Sequence, residues 1–420
     1  MSHPRALARM AAIATACLLV LAVLTPTFLT ALQRSTAPAG PAGTPHWVGT
    51  WAQADALPHA GRVGSRGLID MTLRQQVHIS VGGPAIRVRL SNVFGTQPLE
   101  VGTVTVARQR GNARAGIDTS SLQTVTFDGR DHVTVPVGER VFSDRVTLHV
   151  PAGSDLITSI YLPGPTGRLT SHLETHSTVY AAPGDATGHA AGDAFHPIGT
   201  TGYVLDGVDA WSGAAGAVVF FGDSITNGTH STVDANLRYP DQVADRLLRR
   251  PEMRQAGVLN LGIGGNAWFG DRGPRGQSGL HRFDRDVLAQ TDVRTVVVLE
   301  GINDIGIGRG NRPLSQFVAA YEDFISWAHD AGIRVVGATL LPYEGSFYFS
   351  PAGERRRQQV NRWIRTSGEF DAVVDLDRAL RDPNHPAALR AAYDSGDHLH
   401  PNDKGYAAIA AAFDLSALAP

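Results

Sequence analysis

Phe220-Phe221-Gly222-Asp223-Ser224-Ile225-Thr226 is the stretch whose reading decides the fold. Its apolar lead-in, 217–221, is too short and too rich in β-formers for a helix, so it predicts a buried strand. Gly222 supplies a bend that a residue with a Cβ would resist. Ser224 then stands just past the strand's carboxyl end, where open α/β sheets place their ligands. A Ser in a strand-to-helix turn also serves simply as a helix cap, and a lone Gly-Asp-Ser says no more than that. The residues downstream say more.

From that stretch to the carboxyl terminus, strand and helix patterns alternate. Apolar runs at 217–221, 258–263, 295–300, 334–340 and 372–376 read as strands. Apolar residues at three- and four-residue spacing predict helices at 239–249, 314–331 and 353–366. A last helix is predicted at 404–413, with Asn402 or Asp403 as its N-cap. Continuous apolar strands between helices imply a parallel sheet covered on both faces.

Four polar blocks punctuate this half. They are Gly222-Asp223-Ser224, Asn260-Leu261-Gly262-Ile263-Gly264-Gly265-Asn266, Glu300-Gly301-Ile302-Asn303-Asp304 and Asp397-His398-Leu399-His400-Pro401. Acyl transfer by serine needs a base for the hydroxyl proton, an acid to orient that base, and hydrogen-bond donors for the developing oxyanion. A Ser, a Gly-rich loop with free N–H groups, an Asn amide and an Asp/His pair supply all of these. The Gly-rich loop is no phosphate loop, since no Lys-Ser/Thr follows it. His398 adjoins Asp397 in sequence, which makes a side-chain bond between them awkward, so His400 is the better base. Asp223 and Asp304 read as turn-holding residues.

Together and in this order, the four blocks resemble the SGNH or GDSL hydrolase family. The resemblance covers roughly the second half of the chain. It implies Ser224 as nucleophile, Gly265 (through its N–H) and Asn303 (through its amide) as oxyanion donors, and Asp397 and His400 as triad acid and base. It also implies a flavodoxin-like three-layer α/β/α fold, an esterase, lipase, thioesterase or deacetylase activity, and no cofactor or metal. His46-Trp47-Val48-Gly49-Thr50-Trp51 is similar to exported bacterial members that carry an amino-terminal β-domain.

Residues 46–211 read as that domain. Strand candidates at 73–79, 86–90, 101–106, 133–137, 146–150 and 156–162 are punctuated by Gly, Pro, Asn and Asp, and predict an antiparallel, jelly-roll-like β-sandwich. Residues 181–199 read as an irregular connection. Residues 212–420 form the hydrolase domain. His132, His149, His172 and His176 are scattered and form no catalytic constellation.

Residues 1–45 read as a secretory signal or amino-terminal anchor followed by a Pro/Ala/Gly-rich linker: Arg5 and Arg9, an apolar run from Ala11 to about Leu32, then small residues around Ala37-Pro38-Ala39. The expectation is a secreted protein, attached to a membrane only if this segment stays uncleaved. The single cysteine, Cys17, lies inside it, so a mature chain would have no disulfide or thiol nucleophile. A composition of 43% apolar and 18% charged residues is globular, and a formal net charge of −2 argues against a nucleic-acid partner.

The expected function is a monomeric serine esterase acting on short acyl, chiefly acetyl, esters of carbohydrate, such as an acetylated polysaccharide. The alternatives are a lipase or lysophospholipase, a non-catalytic carbohydrate-binding protein, and a metal-dependent phosphodiesterase using Asp223, Asn303, Asp397, His398 and His400. Trp268-Phe269 and the segment from Tyr343 to Phe349 are rich in aromatics and read equally as packing, against the β-domain for example, or as walls of an acyl pocket.

Overall fold

The parallel sheet has five strands. Along the chain they are Ala217–Gly222, Gly257–Gly262, Val293–Leu299, Arg334–Ala338 and Ala372–Val374. The first two are buried at every residue, as apolar strands covered on both faces should be. The second strand lies outside the first, and the third, fourth and fifth follow on the other side, all parallel. That order is flavodoxin-like and puts the switch point between the first and third strands. Helix Tyr239–Leu248 packs with Asp403–Ala412, and Leu314–Asp330 packs with Pro351–Thr366. Asn402 caps the last helix, its side chain accepting from Gly405 N at 3.0 Å. These boundaries fall within a few residues of those the sequence predicts. The computed structural model describes residues 43–111 and 115–418, so the predicted export segment and its cleavage region, up to residue 42, lie outside the described residues.

The amino-terminal half holds a six-stranded and a four-stranded antiparallel sheet. Strands Met71–Ile79 and Ser154–Leu162 centre the larger sheet, and Leu205–Ser212 and Ile86–Ser91 centre the smaller. Leu73, Val77 and Ile160 of one sheet share an apolar core with Val88, Leu90 and Val208 of the other.

Three expectations for this half change. The run at 101–106 is two strands: Leu99–Val101 pairs with Val133–Val135, and Val104–Arg108 joins the larger sheet. Between them Gly102 N–H bonds Tyr161 O at 2.9 Å, so the chain changes sheets at that glycine. The run at 146–150 buries Val146, Leu148 and Val150 but makes only isolated bridges, because its neighbour Ile86–Ser91 takes Leu205–Ser212 and Arg140–Phe142 as partners. Residues 181–199 are not all irregular: Val179–Pro183 pairs with Met71–Ile79, and His196–Gly199 adds an edge strand that tolerates Pro197.

The described residues group as one compact unit. Strand His46–Ala52 pairs with Leu205–Ser212 and lies along Gly257–Gly262. A Cβ on Gly257 would stand 1.9 Å from the carbonyl oxygen of Gly49, so only glycine permits this approach. Gly49 N–H in turn donates to Thr291 O at 3.2 Å. Buried Arg89 donates to Asp206 and to Gln290, which ties the smaller sheet to the α/β part.

Candidate active site

Ser224 opens a one-turn helix, Ser224–Asn227, directly after the first strand. Asp223 caps it, Oδ1 accepting from Ile225 N at 2.9 Å, and Gly228 closes it at φ 101°. Ser224 Oγ lies 2.8 Å from His400 Nε2, and His400 Nδ1 lies 2.5 Å from Asp397 Oδ2. A carboxylate can only accept, so His400 donates from Nδ1 and presents the Nε2 lone pair to the serine O–H. Asp397 Oδ1 accepts from the N–H groups of Leu399 and His400 at 2.9 and 2.8 Å. Partial burial works against its charge, but the His400 ring and these N–H groups hold its carboxyl well below the usual carboxylate range.

Gly265 follows the second strand at φ 76°, a left-handed value that suits glycine. Asn303 is the second residue of helix Ile302–Ile307, past the third strand, and its Nδ2 donates to Asn266 O at 2.8 Å. Ser224, Gly265, Asn303 and His400 line one cavity of about 210 Å³. All five residues predicted from the sequence therefore meet at the switch point, four of them lining that cavity and Asp397 behind His400.

His398 turns elsewhere. It is half-exposed and pairs through Nδ1 with Asp394 Oδ2 at 2.5 Å. Asp304 accepts from Trp268 N and Phe269 N, as a turn-holding residue does. Trp268 does not wall the cavity. It is buried, donates Nε1–H to Glu300 O at 3.1 Å and packs on Phe221, Tyr321 and Phe324. Its apolar ring found more burial in the core than at the rim. Phe269 lines a neighbouring cavity, while Phe347 and Tyr348 do line the Ser224 cavity.

Sequence reasoning missed two groups. Arg282, fully buried, donates to Gly222 O, Leu261 O, Asn266 Oδ1 and Asp286 Oδ2, bracing the ends of the first two strands. Its i,i+4 spacing to Asp286 is the one local signal it leaves. Burial pushes Asp223 up to about 7 and Asp304 up to about 6, and raises Glu300 well above its ordinary value. The second group comes from the antiparallel half. His59, Leu173 and Glu174 line the Ser224 cavity, and buried His172 bonds Ala54 O and Asn227 Oδ1, both at 2.8 Å. No local pattern marks these residues.

Among the described residues, the group placed to share a metal ion is His230, Asp397 and His400, whose ligand atoms lie within 4.8 Å of one another. Asp223, Asn303 and His398 do not join it, so the ligand set imagined for a phosphodiesterase is not assembled.

Residues 220–408 match the model of the GDSL-like Lipase/Acylhydrolase family. That segment is a GDSL-like acylhydrolase domain. The chain is a carboxylic ester hydrolase. Solved structures similar to the GDSL-like half include a protein described as lipolytic, of the G-D-S-L family, from Desulfitobacterium hafniense (22% identity, 47% of this chain, 96% of that one, TM-score 0.37). An acetyl xylan esterase from Geobacillus stearothermophilus is 21% identical over 49% of this chain and 95% of its own, with a TM-score of 0.37. A GDSL-like lipase from Bacteroides thetaiotaomicron is 18% identical over 48% of this chain and 87% of its own, with a TM-score of 0.34. No curated protein matches the chain.

Proposed function

We propose that this hydrolase is an exported serine esterase that removes short acyl groups, acetyl first, from carbohydrate esters. The observation that carries the reading is the Ser224–His400–Asp397 relay, 2.8 and 2.5 Å, opening into a cavity of about 210 Å³. That volume is below the usual range for drug-sized ligands, roughly 300–1,000 Å³, and it must take part of the alcohol as well, which favours a small acyl group.

The chemistry follows from the donors and acceptors. His400 Nε2 takes the Ser224 proton as Oγ attacks the ester carbonyl, and Asp397 stabilises the imidazolium. Charge moves to the carbonyl oxygen, which the N–H groups of Ser224 and Gly265 and the Asn303 amide receive. Neither N–H donates to a backbone acceptor among the described residues. His400 then protonates the leaving alkoxide, the alcohol departs, and Ser224 is acylated. Water, deprotonated by the same nitrogen, releases the acid and restores the serine.

Export rests on Arg5 and Arg9, the apolar run that follows them and the small residues after it. A longer-acyl reading draws on Phe347, 79% exposed beside the cavity. An ester series from acetyl to octanoyl separates the two. A fitted long site gains about 0.8 kcal/mol, roughly fourfold in kcat/KM, per buried methylene. A fall beyond butanoyl is expected, and a steady rise would overturn the short-acyl reading. Fluorophosphonate labelling confined to Ser224 excludes the non-catalytic reading.

A further inference from the structure

The antiparallel half delivers a carboxylate into the esterase cavity. Directly after strand Ser171–His172, residues Leu173 and Glu174 reach the pocket that contains Ser224. Glu174 sits at φ 68°, a left-handed conformation that strains a residue with a side chain. Contacts with the nucleophile loop hold it there. Its carbonyl accepts from Asn227 Nδ2 at 3.1 Å, and its Oε2 accepts from Thr229 Oγ1 at 3.2 Å. The other carboxylate oxygen has no protein partner among the described residues.

A cation lines the same cavity. Arg275 is exposed, and its guanidinium has no partner among the described residues. The two charges ride over adjacent glycines of the loop after the second strand. A Cβ on Gly264 would lie 4.0 Å from Glu174 Oε2, and one on Gly265 would lie 2.9 Å from Arg275 Nη1. Glu174 and Arg275 do not pair with each other. An alkyl or aryl alcohol group offers the carboxylate no donor. A polyhydroxylated alcohol serves both charges: hydroxyl groups to donate to the carboxylate, and hydroxyl and ring oxygens to accept from the guanidinium.

We propose that Glu174, together with Arg275, is the specificity-determining residue for the alcohol side of the ester, and that it selects sugar alcohols through their free hydroxyls. This rests on the reading of the cavity as a serine esterase site. A site that bonds a hydroxyl discriminates against an analogue that lacks it, because its polar groups then lose that partner. The β-rich half is thereby part of substrate recognition.

The test uses the full chain and two acetyl esters of similar size: a monoacetylated methyl pyranoside and cyclohexyl acetate. The ratio of their kcat/KM values is compared within each variant, so a general loss of folded enzyme cancels. Glu174→Gln and Glu174→Ala should each lower the sugar-to-cyclohexyl ratio by about tenfold or more, and Arg275→Gln should lower it by a smaller factor. In wild type, the unacetylated methyl pyranoside should inhibit cyclohexyl acetate hydrolysis better than cyclohexanol does. A ratio indifferent to both Glu174 substitutions, or equal inhibition by the two alcohols, would overturn this inference alone. A wild type that cleaves neither ester and takes no label at Ser224 would overturn the proposed function as well.

Discussion

Two carboxylate–histidine pairs stand within seven residues of one another in the loop before the last helix. In each, a histidine Nδ1 meets an aspartate Oδ2 at 2.5 Å: His398 with Asp394, and His400 with Asp397. Each aspartate also turns its Oδ1 to backbone N–H groups, those of Gly396 and His398 for the first and of Leu399 and His400 for the second. As isolated pairs they are nearly equivalent. The difference lies at the far side of each ring. His400 Nε2 has the Ser224 hydroxyl at 2.8 Å. The His398 ring is half-exposed and lies against Gly345, where an added Cβ would stand 2.9 Å from its Cγ. An Asp–His pair becomes catalytic machinery only when a nucleophile occupies the remaining nitrogen.

The largest effect should come from breaking the productive pair. His400→Ala removes the base, and kcat should fall by roughly 10⁴-fold or more in steady-state assays on an acetyl ester. Activity that survives His400→Ala but not His398→Ala would reverse the assignment of the two pairs. The next effect tests whether charge develops where the His400 pair directs it. Asn303→Ala removes one oxyanion donor and should lower kcat by roughly 10²–10³, about 3 kcal/mol, with little change in KM. A large KM change with kcat intact would mean that Asn303 binds ground-state substrate instead.

A smaller effect concerns Asp223, whose carboxyl feels the His400 charge. Burial raises the Asp223 carboxyl to about 7, opposed by its bond from Ile225 N and by the His400 charge. The folded state therefore keeps a proton that the unfolded chain releases near pH ~4. The stability from this group is full below that value and is lost as pH rises through about 7. Asp223→Asn cannot titrate, so its Tm should decline less than that of wild type between pH 5 and 8, by about 1–3 °C in thermal melts. An identical decline would place the proton elsewhere in the acidic group. The smallest effect belongs to the idle pair. His398→Ala loses one half-exposed ion pair, and such pairs contribute little, so kcat/KM should stay within about threefold of wild type.

Much of the α/β half was legible because its signals are local. Five short apolar runs and the helices between them follow from period and composition, since buried parallel strands must be apolar on both faces. The antiparallel half was less legible. Whether 101–106 is one strand or two depends on which sheet each end joins, and residues 196–199 become a strand only because Val179–Pro183 leaves an edge to pair. Trp268 was left between two readings for a related reason: an aromatic beside a catalytic loop reads the same whether it faces the cavity or the core. Only the positions of Phe221, Tyr321 and Phe324 decide that.

The sequence by itself determined the kind of chemistry. A Ser, a Gly-rich loop, an Asn and an Asp/His pair, each after a predicted strand or before a predicted helix, are local facts. A parallel sheet must bring its carboxyl ends to one edge. Tertiary structure decided everything that depends on residues distant in the chain. It gave His398 a separate partner, Asp394, and put Ser224, 176 residues away, beside His400, the histidine the sequence favours as base. It moved Trp268 into the core, and it carried Glu174 from the antiparallel half across to Thr229 and the cavity. Periodicity reports the face an element buries, but only packing sets what that face or loop meets.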